Sequence, residues 1–239
     1  MSDRGAFLLA DAVHRRYPGG VDALSGVSFR AQAGEVVAVT GPSGCGKSTL
    51  LSLLGLLDQP TSGRITIDAQ DLSTIPDPTA FRARSIGFVF QFHHMIPTMT
   101  LLENVAAPLI AVGVRRRERQ ERASAILEQM GLSHRATFLP RNVSGGERQR
   151  AAVARALVNG PAVILADEPT GNLDTRNGER VVELIVRHAR AAGALAILAT
   201  HNPEVAAVAD WCLELRDGRL VSPSSPALPD ALVLEPAGT

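Results

Sequence analysis

The sequence predicts an α/β domain built on a mainly parallel sheet. Three observations carry that prediction. Short aliphatic runs, GEVVAVTG (Gly34–Gly41), AVILA (Ala162–Ala166) and ALAILAT (Ala194–Thr200), have the length and bounding residues of buried strands. Helical patterns separate them, the alternation that yields parallel strands joined by crossovers. The first run also leads through a glycine-rich turn, GPSGCGKST (Gly41–Thr49), straight into the helical pattern KSTLLSLLGLL (Lys47–Leu57).

The remaining elements follow in chain order. RITI (Arg64–Ile67) and IGFVFQ (Ile86–Gln91) read as further strands. From Thr100 to Gly160 the patterns are helical only. Thr100-x-x-Glu103 is a capping box opening LLENVAAPLIAVG, with Pro108 as a kink. RRERQERASAILEQMG puts Ala123, Ile126, Leu127 and Met130 on one face and stops at Gly131. Ser144-x-x-Glu147 is a second capping box, opening RQRAAVARALVNG, and Gly160-Pro161 ends that helix. Residues of about 92–150 are therefore expected to form a helical insertion in a single domain over 1–221, whose core is about 1–91 and 151–221. LELRDGRLV (Leu213–Val221) carries Asp217-Gly218 between two short runs, a hairpin signal. From Ser222 the chain is rich in Pro, Ser and Ala, so 222–239 is expected to be a flexible tail.

Composition narrows the function classes. Lys+Arg and Asp+Glu both number 24, which argues against a phosphate-gripping nucleic-acid protein and predicts no nucleic-acid partner. Arg115–Arg122 (RRRERQER) mixes signs and reads as a solvated helix face. Cys45 and Cys212 form no CxxC or Cys/His cluster, so neither a zinc site nor a disulfide framework is suggested. No secretory signal pattern is present, and the apolar run LLSLLGLL (Leu50–Leu57) is far short of the roughly 20 residues that span a bilayer. The expectation is a cytoplasmic protein whose membrane role runs through a partner.

Lys47 is the one lysine among 24 basic residues. It closes the pattern G-x-x-x-x-G-K-[ST], in which glycines turn backbone N–H groups toward phosphate oxygens and the next helix adds its positive end. A compact ammonium on a flexible stem bridges phosphates inside so tight a loop, where arginine's planar fork does not fit. Ser48 can offer a hydroxyl to Mg²⁺ and Thr49 a further donor. AVILADEPTGNLD (Ala162–Asp174) ends a buried strand in two carboxylates. At the carboxyl edge of a parallel sheet, Asp167 can hold Mg²⁺ and Glu168 can polarise an attacking water. In VSGGERQR (Val143–Arg150), Ser144 caps a helix whose next residues, Gly145 and Gly146, leave its N–H groups open to an anion. Cys45, at a helix start beside Lys47, is a candidate reactive thiol, read more simply as a small loop residue.

GPSGCGKST, Gln91, VSGGE, ILADE, GNLD and His201, in that order, resemble the ATP-binding cassette (ABC) ATPases over about residues 7–221. The resemblance implies a P-loop NTPase core with a mainly parallel sheet, an N-terminal antiparallel β subdomain and an inserted helical subdomain, working with ATP and Mg²⁺. It implies that Gly41, Pro42, Ser43, Gly44, Cys45, Gly46, Lys47, Ser48 and Thr49 wrap the phosphates. Tyr17, the sole tyrosine, would stack on adenine. Ser48, Gln91 and Asp167 would hold the metal, with Gln91 also sensing the γ-phosphate. Glu168 would serve the attacking water and His201 the γ-phosphate. Ser144, Gly145, Gly146 and Glu147 would close over ATP held by a second copy, with Asp174 at the seam. Val143 and Glu147 stand where the signature usually has leucine and glutamine.

Within the family, QFHH-x-x-P, SGGERQR and ADEPTGNLD look most like the lipoprotein-release ATPases (LolD type), near relatives being the macrolide-export (MacB type) and cell-division (FtsE type) ATPases. The implied partners are a second ATPase copy and a separate transmembrane permease, which would hold the chain on the cytoplasmic face of the inner membrane. Phe90–Leu109 would line the groove for that permease. The alternative within the family is the ATPase of a cell-division or other non-export complex. A GTPase would need a guanine-reading N-K-x-D motif, which a chain with this one lysine lacks.

Overall fold

The computed structural model describes residues 8–224. β1 (Leu8–Tyr17) and β2 (Val21–Ala31) form an antiparallel hairpin, followed by β3 (Val36–Thr40) and α1 (Lys47–Leu54). β4 (Ser62–Ile67) and β5 (Gln70–Asp71) return to the hairpin, giving a four-stranded sheet of order β2-β1-β4-β5. The RITI run thus lies in the antiparallel sheet, with Ile67 opposite Leu8 of β1, and not among the parallel strands. α2 (Pro78–Ser85), capped by Asp77, leads into β6 (Ile86–Val89).

Four helices come next: α3 (Leu101–Ala106), α4 (Pro108–Ala111), α5 (Arg116–Gln129) and α6 (Gly145–Leu157). Thr100 and Ser144 both make complete capping boxes. Pro108, with no N–H to donate, separates α3 from α4. On α5, Ala123 and Leu127 are buried, Met130 just beyond it is buried too, and Ile126 packs at the edge of the core. Arg117–Glu121 and Arg122–Glu118 pair along its outer face. The chain continues through β7 (Val163–Asp167), α7 (Thr175–Ala192), β8 (Leu195–Ala199), α8 (Pro203–Ala206), β9 (Trp211–Arg216) and β10 (Arg219–Ser224). Asp217 and Gly218 take φ of 48° and 74°, the left-handed pair that a two-residue hairpin turn requires. Residues 222–224 complete β10, pairing with β9; the rest of the expected tail, 225–239, lies outside the described residues.

The second sheet runs β10-β9-β3-β8-β7-β6, parallel throughout except for β10. Its side chains alternate between two cores, as the period of two demands. Val37, Val39, Val163, Leu165, Leu195 and Ile197 face α1 and the antiparallel sheet, meeting Leu50, Leu54 and Leu8. Val36, Ile164, Ala166, Ala196 and Leu198 face α3, α5, α6 and α7. A strand buried on both faces has no polar side, which is why these runs are continuously apolar.

Packing is tight where α1 ends. A Cβ at Gly55 would stand 1.8 Å from Cζ of Phe88. Gly55→Ala must displace that ring, and overpacking of this kind costs about 1–3 kcal/mol. The expected result is a Tm lowered by at least 2 °C in thermal unfolding, at roughly 2–4 °C per kcal/mol for a chain of this size.

Candidate active site

The site is assembled by the parallel register. Val39 of β3 and Asp167 of β7 both pair with Ala199 of β8. Two backbone bonds extend that row past the strands: Thr200 donates to the Val39 carbonyl at 3.0 Å and Glu168 to the Ala199 carbonyl at 2.9 Å. The Gly41 loop, Asp167-Glu168 and His201 therefore leave one sheet edge side by side.

In the loop, Lys47 is only 7% exposed, and its ammonium donates to the carbonyls of Gly41 (2.7 Å) and Pro42 (3.0 Å). The loop is thus wrapped around its own cation. Gly41 and Gly46 have φ of +138° and +109°, and a Cβ on them would fall 2.1 Å from the Leu215 carbonyl oxygen and 2.5 Å from that of Ala23. Conformation and neighbouring backbone both demand glycine here. Pro42, Ser43, Gly44 and Ser48 are exposed at the rim, and Thr49 is partly buried. Cys45 is buried, its Sγ 4.0 Å from the Lys47 ammonium.

Asp167 carries the clearest sign of a missing partner. Its Oδ1 is buried with no hydrogen bond. Burial pushes its carboxyl above the usual range; the Ser48 hydroxyl opposes this, the charge of Glu168 adds to it, and Lys47 opposes it. A buried anionic oxygen beside a serine hydroxyl is a hard-oxygen donor set, and it fits Mg²⁺. Gln91 packs against the loop that follows Glu168: its Nε2 lies 2.8 Å from where a Cβ on Gly171 would be, and its carbonyl accepts from the Asn172 side-chain amide at 3.2 Å, while among the described residues no hydrogen bond joins it to Asp167 or Ser48. Glu168 sits at φ 44°, an uncommon left-handed conformation for this residue type. Its carbonyl accepts from the Gly171 N–H at 3.1 Å, so backbone bonds hold both of its ends. Its side chain is 16% exposed and accepts a bond from Nδ1 of His201 at 2.8 Å, while His201 itself is 68% exposed.

The second glycine motif lies at the start of α6. Ser144 Oγ accepts from the Glu147 N–H at 3.2 Å, and Glu147 accepts from the Ser144 N–H at 2.8 Å and from Arg135 at 3.1 Å. The Ser144 N–H is the first of several bonds that hold the Glu147 carboxyl below the usual range. Gly145 and Gly146 have different reasons to be glycine. A Cβ on Gly145 would meet nothing nearer than Arg148 at 4.0 Å, whereas on Gly146 it would strike Asn177 Oδ1 at 2.8 Å. Gly146 serves close packing within the chain, and only Gly145 is open. Asn177 is held in turn by Asp174, the cap of α7, which accepts from its backbone (2.9 Å) and side-chain amide (2.7 Å). Ser144 and Asp174 are both exposed, and among the described residues no hydrogen bond joins either to the Gly41–Thr49 loop.

Tyr17 has partners that sequence reading missed. Its hydroxyl donates to Asp58 at 3.2 Å, and the Arg15 guanidinium lies 4.6 Å above its ring. Arg15 also pairs with Asp58 at 2.8 Å. One ring face is thus occupied. The available signal was Arg15 itself, two residues before Tyr17 on a strand and so on the same face.

A groove of about 410 Å³ lies between β6 and the helical segment, lined by Phe88, Phe90, His94, Pro108, Ala111 and Arg155. The two segments that flank it also expose Phe92 and Ile110. Leu101 and Val105, by contrast, are fully buried core.

A family model described as "ABC transporter" matches residues 24–171. The chain belongs to this family. Among curated relatives, the lipoprotein-releasing system ATP-binding protein LolD of Gluconobacter oxydans is 46% identical over 226 residues, covering 92% of this chain and 98% of its own. The macrolide export ATP-binding/permease protein MacB of Shigella flexneri is 44% identical over 214 residues, which are 87% of this chain but 33% of that protein. Among solved structures, the dimeric ATP-binding cassette MJ0796, in a post-hydrolysis state bound to ADP and Pi, superposes with a TM-score of 0.85 at 37% identity, covering 91% of this chain and 98% of that one. This ABC protein is accordingly an ATPase with the α/β cassette fold, resembling the LolD and MacB ATP-binding components.

The buried, unpartnered Asp167 yields a stability prediction. Burial holds its folded pKa above that of an ordinary aspartate. The ionised group therefore destabilises the fold at any pH above the folded pKa, and the penalty fades as pH falls below it. Asp167→Asn should stabilise the nucleotide-free protein at pH 7 by on the order of 1 kcal/mol, which raises its Tm by roughly 2–4 °C. Thermal unfolding at a series of pH values should show the gain shrinking toward pH 4.

Proposed function

We propose that this ABC ATPase is the power subunit of a membrane complex of the lipoprotein-release or macrolide-export type. Two copies would close over two MgATP and drive a separate permease. The observation that carries the proposal is the row at the sheet edge, where the Lys47 loop, the unpartnered Asp167 and the Glu168–His201 pair converge. In this reading residues 1–221 act as one nucleotide-binding domain, with about 92–150 as its helical part.

Residues Gly41–Thr49 bind the phosphates through backbone N–H groups. Lys47, now folded onto the Gly41 and Pro42 carbonyls, exchanges those acceptors for phosphate oxygens. Ser48, Asp167 and Gln91 are the residues that would hold Mg²⁺, whose bound charge offsets that of the triphosphate. Tyr17 offers adenine the ring face that Arg15 leaves free. Glu168 accepts a hydrogen bond from the attacking water and orients it, and His201 fixes the carboxylate and then faces the γ-phosphate. Ser144 and Gly145 form an open helix start, and a γ-phosphate held by the second copy supplies its anion. Asp174 stands at the seam between copies, and its link through Asn177 to Gly146 ties that seam to the α6 start.

The groove lined by Phe88 and Phe90 is the proposed seat of a permease segment. Its exposed aromatic and aliphatic rim suits an apolar partner. Among the described residues no helix is long and apolar enough to cross a membrane. In the proposal, attachment to the cytoplasmic face runs through this groove.

The test is Glu168→Gln. Turnover should drop by about 100-fold or more, the usual range for loss of a general base. With saturating MgATP the variant should elute from size exclusion as a dimer; a monomer would overturn the two-copy site. Lys47→Arg should abolish hydrolysis, and near-normal turnover in that variant would overturn the role given to the loop.

A further inference from the structure

Gln149 lies on α6, one turn past the Ser144 cap, and is completely buried. Its Nε2 donates to two carbonyls at once, that of Phe90 at 3.1 Å and that of Pro169 at 3.0 Å. The Phe90 carbonyl belongs to the peptide group that carries Gln91. The Pro169 carbonyl is one residue beyond Glu168. A single amide therefore clamps the Gln91 segment and the Glu168 segment to the helix that begins at Ser144.

At the other end of the amide, Gln149 Oε1 is buried with no hydrogen-bond partner, and so is Nδ1 of His93, so the clamp rests on the two Nε2 bonds alone. Burial, then the charge of Arg148, holds the His93 pKa down, with His94 and Arg155 adding to the fall, which keeps that ring neutral. Arg155 fastens the same segment from outside, donating to the His93 and His94 carbonyls at 2.6 and 2.7 Å.

We infer that Gln149 is a positioning residue that makes Gln91, Glu168 and the Ser144 helix start move as one body. This rests on the reading that Gln91 and Glu168 serve the γ-phosphate and that Ser144 meets the second copy's nucleotide. When a second copy engages α6, the shift passes through one side chain to both groups that govern hydrolysis. Gln149 touches no reacting atom; it acts through the two carbonyls.

Gln149→Met keeps the length and removes both donors. The expected outcome is a kcat at least tenfold lower with KM for ATP within twofold of the unmutated value. Hydrogen exchange should rise together in peptides covering 90–93 and 168–172 and stay unchanged in α6 and β3. Unchanged exchange in both peptides, or a rise spread evenly over the chain, would overturn the inference; so would unchanged kcat. Should Gln149→Met not fold, Gln149→His, which keeps one ring N–H, carries the same comparison, and a loss of turnover smaller than twofold in it would also count against the clamp. Failure of the underlying reading looks different: Glu168→Gln would then hydrolyse ATP normally, while the exchange measurement would still report on the clamp.

Discussion

The structure depends on the parallel register of β3, β8 and β7. Val39, Ala199 and Asp167 stand in one row, and the Glu168–Ala199 and Thr200–Val39 backbone bonds carry that row past the strand ends. A shift of one residue in β7 would send every side chain of that strand to the opposite core and turn Asp167 away from Ser48. The apolar alternation that fills two cores is thus the same constraint that aims the carboxylates. Stability and chemistry share one register.

Upon that frame the charged groups are poised by what they lack. Lys47 is satisfied by carbonyls of its own loop, weaker acceptors than phosphate oxygens. Asp167 is left with a buried oxygen that no protein group reaches. Glu168 is pinned in a left-handed backbone conformation with its side chain on His201. Each feature costs the folded protein some free energy that a magnesium nucleotide would return. That is the arrangement expected of a binding site and not of a structural turn.

The helical segment adds the connection between the parts. α6 begins at an exposed serine cap and, one turn later, buries Gln149 against the two loops that flank the site. At its start Gly146 packs on Asn177, which Asp174 holds. Motifs far apart in sequence are thereby joined by two amide side chains, Gln149 within the SGGERQR run and Asn177 outside every quoted motif.

Much of this was legible in the residues. Short, continuously aliphatic runs marked β3, β7 and β8, because strands buried on both faces must be apolar throughout. Local hydrogen-bond rules marked the caps at Thr100 and Ser144, the stop at Gly131 and the Asp217-Gly218 turn, since each is decided within a few residues. The loop around Lys47 was legible for the same reason. Other features depended on contacts between distant segments. RITI reads as a strand in any sheet, and only pairing with β1 placed it in the antiparallel one. Gly146 looks like an open helix start until Asn177 is seen against it. Arg15 and Asp58 around Tyr17, and Gln149 between Phe90 and Pro169, are ordinary polar residues in sequence. By itself the sequence determined the local elements and the phosphate loop, whose chemistry is written in adjacent residues. Tertiary structure alone decided which sheet each strand joined and which buried polar groups found partners, because burial and long-range hydrogen bonding exist only once the chain is packed.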